Sequence, residues 1–219
     1  MKLLLTSAGF RNSTIVDALK SLINKPLSET KLVYIPTASN VEAGDKWWLV
    51  DDYKRCMDLD LKEFDILDFS AVTKDLWLER YSNVDGLIFG GGSSTHLMAE
   101  VKKSGLDDEL SQILRDKVYI GISAGTHIAS KNLYTTKTAP LYGDEYETVN
   151  EDKGLGYVDF LAISHANSEY FKNLSFENIK KASNEIDCSV YAIDDESAVV
   201  VDGDRIEVVS EGKWKVYKK

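Results

Sequence analysis

Cysteine, histidine and proline are scarce in this chain: two Cys, three His and three Pro among 219 residues. Cys56 and Cys188 lie far apart with no Cys-x-x-Cys spacing. Neither a disulfide framework nor a thiolate metal site is expected from them; they suit a reducing cytoplasm, packed as small apolar side chains. The three histidines, His96, His127 and His165, have no ligand-like spacing, so no metal site and no cofactor are expected. No apolar run approaches the roughly 18 residues of a membrane-crossing helix. The opening stretch from Met1 to Gly9 holds three consecutive leucines, short of the roughly 7 apolar residues of a secretory leader. It reads as a buried first strand that ends at a Gly turn. Basic residues are outnumbered, 26 Lys and Arg against 36 Asp and Glu, for a net charge of -10. That balance argues against nucleic acid or an anionic membrane surface as a partner. Internal repeats and Pro/Gly/Ser linkers are absent, so residues 1–219 are expected to form a single domain.

What is present is a globular pattern. Hydrophobic residues make up 43% of the chain, enough for a sizeable core at this length. Through the first 130 residues short apolar runs alternate with amphipathic stretches, the arrangement of βα units around a parallel sheet. The runs Lys2–Ser7, Lys31–Thr37, Phe64–Phe69, Gly86–Gly90 and Val118–Ile122 scarcely alternate, as expected of strands covered on both faces. Ile15, Leu19, Leu22 and Ile23 share one helical face, with Ser13 or Thr14 as cap. Trp47, Trp48, Val50, Tyr53 and Met57 suggest a second helix. Two more are expected around Leu97 to Val101 and Leu110 to Leu114, broken near Ser104-Gly105. Trp47, Trp48 and Trp77 are expected in the core, and Asp51-Asp52 on a solvated helix face. In the last third Val190–Ile193, Ala198–Asp202, Arg205–Ser210 and Lys213–Tyr217 read as antiparallel strands. Hairpin turns are expected at Asp202-Gly203-Asp204 and Glu211-Gly212.

One segment carries chemistry. Gly121-Ile122-Ser123-Ala124-Gly125 follows an apolar strand and opens a helical stretch, the setting of a nucleophile elbow. Glycines on either side of the serine permit a turn too tight for side chains and lift the Ser Oγ clear of the sheet end. An ordinary Gly-rich βα turn has the same letters, and the two readings weigh about equally at this point. A serine nucleophile needs a base. His127, four residues on, points along the elbow helix and reads as structural; His96 reads as capping or packing. His165 closes the apolar run Val158–Ser164, at a strand end, where sites form in open α/β sheets. Asp194, Asp195 and Glu196 follow the strand Val190–Ile193, and one of them could orient the imidazole. Oxyanion donors are expected from the Ala124 N–H and from the loop Gly90-Gly91-Gly92-Ser93-Ser94-Thr95. No Gly-Lys-Ser/Thr follows that loop, so a phosphate cradle does not fit.

These segments in this order, Gly-Gly-Gly, then Gly-Ile-Ser-Ala-Gly, then His165, then Asp194-Asp195-Glu196-Ser197-Ala198, resemble the peptidase E and cyanophycinase family of serine peptidases. The resemblance runs from Leu3-Leu4-Leu5-Thr6-Ser7 through Tyr34-Ile35-Pro36-Thr37-Ala38 to the last strands. It implies an α/β fold, a flavodoxin-like three-layer sandwich similar to class I glutamine amidotransferases, with a mostly parallel sheet and C-terminal antiparallel strands. It also implies Ser123 as nucleophile, His165 as base and Glu196 as orienting acid, with Gly91 or Gly92 and Ala124 as the oxyanion hole. Two departures stand out. Peptidase E members carry an Asp about fifteen residues after the nucleophile, where this chain reads Tyr134 to Pro140 without an acid. They also carry an Arg between the His and the acid that binds a substrate aspartate. Here only Lys172, Lys180 and Lys181 fall in that interval, and Lys does not replace a bidentate Arg. The expected activity is that of a cytoplasmic serine exopeptidase on short peptides, as a monomer or homodimer. A strict Asp-X dipeptidase and a non-catalytic amidotransferase-like binding domain are the alternatives.

Overall fold

The structure is a computed structural model that describes residues 1–143 and 152–219. Five short runs near the start become β1 (Lys2–Thr6), β2 (Lys31–Ile35), β3 (Glu63–Ile66), β4 (Gly86–Phe89) and β5 (Val118–Ile122). Five more follow: β6 (Phe160–Ile163), β7 (Ser189–Ile193), β8 (Ser197–Asp202), β9 (Arg205–Ser210) and β10 (Trp214–Tyr217). The main sheet has seven strands in the order β3-β2-β4-β5-β1-β8-β9. Its first five strands pair in parallel, and β8 and β9 pair antiparallel at the far edge. A second sheet of three strands runs β10-β7-β6, with β6 and β7 parallel.

The helices are α1 (Ser13–Ile23), α2 (Trp47–Met57), α3 (Lys74–Ser82), α4 (Ser94–Ser104), α5 (Leu106–Ile113), α6 (Ala124–His127), α7 (Thr135–Tyr142) and α8 (Phe176–Ser183). The two-residue period of a strand sends Leu3 and Leu5 to one face of the main sheet and Leu4 to the other. Leu3 and Leu5 share a core with Trp77, Phe89, Leu97 and Tyr119. Leu4 packs with Ile15 and Leu19 of α1, Tyr34, and Cys56 of α2. The second sheet has a core of its own, where Leu161, Ile163 and Val190 meet Leu174 and Ile179. Each fully buried Leu or Ile contributes roughly 1.5–3 kcal/mol, so helices of 8 to 11 residues are held by the sheet rather than by propensity. Gly105, at φ 70°, breaks α4 from α5 at the expected place. Both cysteines are free thiols.

Several local expectations fail for identifiable reasons. Asn12, not Ser13 or Thr14, caps α1 by accepting from the Ile15 N–H at 3.0 Å. Trp77 is buried, but Trp47 is 49% exposed, along with Val50 and Met57. The face that α2 turns inward is that of Asp52 and Cys56 instead. The turn at Gly203 does join β8 to β9 as a hairpin. Glu211-Gly212 is no hairpin turn, because β9 and β10 belong to different sheets. The chain crosses there from the main sheet to the small one.

Candidate active site

The parallel register aligns Thr6 of β1 with Ile122 of β5, so the next residues, Ser7 and Ser123, leave the same end of the sheet side by side. The elbow is built by close approach. A Cβ on Gly125 would collide with the Phe89 carbonyl of β4, and one on Gly121 would lie 2.6 Å from the Thr126 nitrogen. Only glycine at both places lets α6 start directly over the strand end. Ser123 pays for that geometry with φ 50° and ψ −103°, a conformation rare for a residue with a side chain. It is the arrangement that exposes a serine hydroxyl at the top of a sheet.

His165 follows β6 and also has a positive φ, 61°. Its Nε2 lies 2.9 Å from Ser123 Oγ, and its Nδ1 lies 2.6 Å from Asp195 Oδ1. Burial alone would raise the Asp195 carboxyl, but hydrogen bonds from His165 and Ser7 and nearby positive charge hold it below its ordinary value. An ionised carboxylate only accepts, so Nδ1 carries the proton and Nε2 is left to accept from Ser123. Phe171 stacks on the imidazole with ring centroids 5.0 Å apart. The structure thus brings Ser123 and His165 together as expected, but the acid on His165 is not Glu196.

Each of the three consecutive acids has a separate task. Asp194 accepts from Ser197 Oγ at 2.6 Å and from the Lys213 N–H, closing the β7–β8 turn against the segment before β10. Asp195 meets the histidine. Glu196 turns away toward α1, where it accepts from Asn12 Nδ2 at 2.9 Å and pairs with Arg11 at 3.2 Å. In a tight turn successive side chains diverge, so a shift of one residue changes the partner entirely.

Ser7 is not among the expected site residues. Its hydroxyl donates to Asp195 Oδ1 at 2.8 Å and accepts from the His165 N–H at 2.7 Å, tying acid and base to the end of β1. A serine closing an otherwise apolar strand, at the sheet end that carries the elbow, is the available signal. The Gly loop after β4 lies beside the elbow: a Cβ on Gly91 would stand 3.5 Å from Ser123 Cβ and 3.6 Å from Trp48. Gly92, at φ 125°, is pressed against the Ala38 carbonyl, where any Cβ would collide. Ala124 opens α6, so its N–H has no partner within the helix. Neither of the other imidazoles hydrogen-bonds Ser123, His165 or Asp195, and the His96 Nε2 is buried without a hydrogen-bond partner among the described residues. His127 is buried between Ser94 Oγ at 3.1 Å and the Leu133 carbonyl at 2.8 Å, and burial lowers its pKa. The His96 N–H is capped by Ser93.

Asp52 departs furthest from expectation. It is 8% exposed, not solvated, and accepts from the Tyr34 hydroxyl at 2.9 Å. Burial pushes its carboxyl up to about 6, against the Tyr34 hydrogen bond, which acts to lower it. Among the described residues no group of His, Cys, Asp and Glu is arranged to hold a metal ion. No helix among them is long and apolar enough to cross a membrane.

A serine on a strained elbow, hydrogen-bonded to a histidine that is held by a carboxylate, on a mostly parallel α/β sheet, is the constellation of a serine hydrolase. The chain belongs to Peptidase family S51, which matches residues 3–209, and it is a serine-type peptidase. It is 27% identical over 210 residues to the uncharacterised peptidase Lmo0363 of Listeria monocytogenes, covering 94% of this chain and 97% of that one. It is 28% identical over 149 residues to peptidase E of Streptomyces coelicolor, covering 65% and 59%. Among solved structures, a protein of Listeria monocytogenes described as a candidate peptidase E superposes with a TM-score of 0.79 at 24% identity, covering 96% of this chain and 98% of that one. A peptidase from an acI-B1 Actinobacterium superposes with a TM-score of 0.74 at 19% identity, covering 99% and 90%. Both likenesses concern the fold, which is the flavodoxin-like α/β sandwich expected.

Proposed function

We propose that the protein is a serine exopeptidase that hydrolyses short peptides through Ser123, His165 and Asp195. The observation that carries the reading is the unbroken run of hydrogen bonds from Ser123 Oγ to His165 to Asp195, at 2.9 and 2.6 Å. His165 Nε2 takes the Ser123 proton as Oγ adds to the peptide carbonyl carbon. Asp195 stabilises the imidazolium that forms, and Ser7 keeps Asp195 in place. The carbonyl oxygen, now an oxyanion, is received by the Ala124 N–H and by N–H groups of the Gly91-Gly92 loop. His165 then protonates the leaving amine, the C–N bond breaks and an acyl-enzyme remains. A water, deprotonated by the same histidine, attacks the ester and frees Ser123.

Aromatic side chains fence the approach. Trp48 stands against Gly91, Phe171 covers His165, and Trp47 meets Tyr170 with ring centroids 5.4 Å apart. These support short peptides over folded chains. The interval from His165 to Asp195 contains no Arg, which argues against a strict demand for substrate aspartate.

The test is hydrolysis of Asp-Leu, Ala-Leu, Met-Leu and β-Asp-Arg by the wild type and by Ser123→Ala. Cleavage of several side chains, lost in the variant, is the expected result. Cleavage confined to Asp-Leu would make the protein an aspartyl dipeptidase after all. A folded wild type that cleaves none of these peptides, and that no serine-directed phosphonate labels, would refute the reading.

A further inference from the structure

The buried carboxylate of α2 has no role in the acyl transfer described above. Asp52 is 8% exposed and yet no cation is paired with it among the described residues. Arg55, the basic residue one turn on, pairs with Asp51 at 2.9 Å instead. One hydrogen bond reaches Asp52, from Tyr34 to Oδ2. A buried carboxylate so weakly satisfied is costly and uncommon unless a ligand completes it.

It lies close to the segments that frame the nucleophile. Trp48 and Asp52 are four residues apart and share one face of α2. Trp48 reaches the Gly91 that stands beside Ser123. On the same face, Asp52 Oδ1 approaches Gly9, where an added Cβ would lie 3.4 Å from it and 3.3 Å from Ile122 Cδ1. Ile122 immediately precedes Ser123. Tyr34, which holds Oδ2, stands against Gly90, the first glycine of the loop beside the elbow. The carboxylate is therefore joined to the nucleophile's surroundings through Gly9, Ile122 and the Gly90-Gly91 loop.

In a peptide cleaved after its first residue, the α-nitrogen is two bonds from the carbonyl carbon that the serine attacks. We propose that Asp52 receives the α-ammonium group of the substrate, so that the enzyme takes peptides with a free amino terminus. This rests on the triad reading above and adds to it the residue that recognises the amino terminus. Arg55 and His165 act on Asp52 only from a distance, Arg55 being paired with Asp51; the ammonium supplies a counter-charge in direct contact, and the Tyr34 hydroxyl keeps the carboxylate in place.

The experiment compares the best-cleaved peptide of the panel, or Ala-Leu if none is cleaved, with its N-acetyl form. Both are offered as substrates to the wild type and Asp52→Asn. Both are also titrated calorimetrically into Ser123→Ala and into Ser123→Ala/Asp52→Asn. The wild type is expected to prefer the free amine by about ten- to a hundredfold in kcat/KM, the worth of a hydrogen bond to a charged group. Asp52→Asn is expected to bring that ratio close to one by losing activity on the free peptide alone. Binding to Ser123→Ala should fall by a similar factor for the free peptide when Asp52→Asn is added, and stay unchanged for the acetylated one. Asp52→Ser carries the same expectation if the Asn variant does not fold. Equal use of both peptides by the wild type, or a preference that survives loss of the carboxylate, overturns the proposal and leaves the triad standing. Amine-dependent binding that needs Asp52, without any turnover, overturns the triad reading and leaves the ammonium site standing.

Discussion

Burying Asp52 should leave a mark on stability that is separate from any peptide. Its carboxyl is raised from 3.8 to about 6, with burial the largest cause. The folded protein therefore holds this proton more tightly than the unfolded chain does. Well below the unfolded value of 3.8 both states are protonated and the group contributes almost nothing. As pH rises from about 4 to about 6 the unfolded chain ionises first, and unfolding gains. Above about 6 the full cost is present, at about 1.4 kcal/mol for each pH unit of the gap, or about 3 kcal/mol. Asp52→Asn removes this dependence. Its amide brings a cost of its own, since one N–H group has no obvious acceptor, but that cost does not change with pH. The informative quantity is thus a difference. Relative to wild type, the variant should gain roughly 2–3 kcal/mol more at pH 8 than at pH 4. Urea unfolding at the two pH values measures it, with equal m-values required for the comparison. A gain that differs by less than about 0.5 kcal/mol between the two would refute the reasoning, because Asp52 would then carry no charge cost in the folded state.

Replacing Asp195 by Asn should lower kcat by about 10³–10⁴-fold with little change in KM, since the imidazole loses its tautomer and its counter-charge. Glu196→Gln should leave kcat within about threefold and, by loosening Asn12 and Arg11, cost about 1 kcal/mol in unfolding at most. The reverse pattern in the two kinetic assays would restore Glu196 as the orienting acid. Ser7→Ala removes the donor to Asp195 and the acceptor of the His165 N–H; a roughly ten- to hundredfold fall in kcat is expected, and an unchanged rate would show that His165 needs no such tether. Trp77→Ala should cost about 3–5 kcal/mol in urea unfolding, because Trp77 is 1% exposed against Tyr81.

The main sheet is legible because its signal is local. Leu3-Leu4-Leu5, Leu32 to Ile35 and Leu87 to Phe89 are apolar without alternation, and that occurs where both faces are covered. The βα alternation then fixes parallel pairing. Strand partnership in the last third is a long-range matter. Nothing in Ser189–Ile193 or Trp214–Tyr217 says that these residues leave the main sheet and join Phe160–Ile163. Helix α2 departs from its pattern for a related reason. Trp47, Val50 and Met57 are apolar, but the face that meets the sheet is chosen by where the helix docks, and it docks through Asp52 and Cys56.

The site divides along the same line. Ser123 can be found because an elbow needs glycines at fixed offsets, and His165 because only three histidines compete. The acid cannot, since three neighbouring carboxylates differ only in direction. Direction is set by partners remote in sequence: Lys213 for Asp194, Ser7 for Asp195, and Asn12 with Arg11 for Glu196. Ser7 and Asp52 are inconspicuous for the opposite reason, because a serine ending a strand and an acid on a helix are ordinary letters. What distinguishes them is burial at the carboxyl ends of parallel strands, where polar side chains are retained at a cost to the fold. A buried acid near the elbow, with no cation of the described residues in ion-pair contact with it, is better explained by the charge of what binds there than by anything it does for stability.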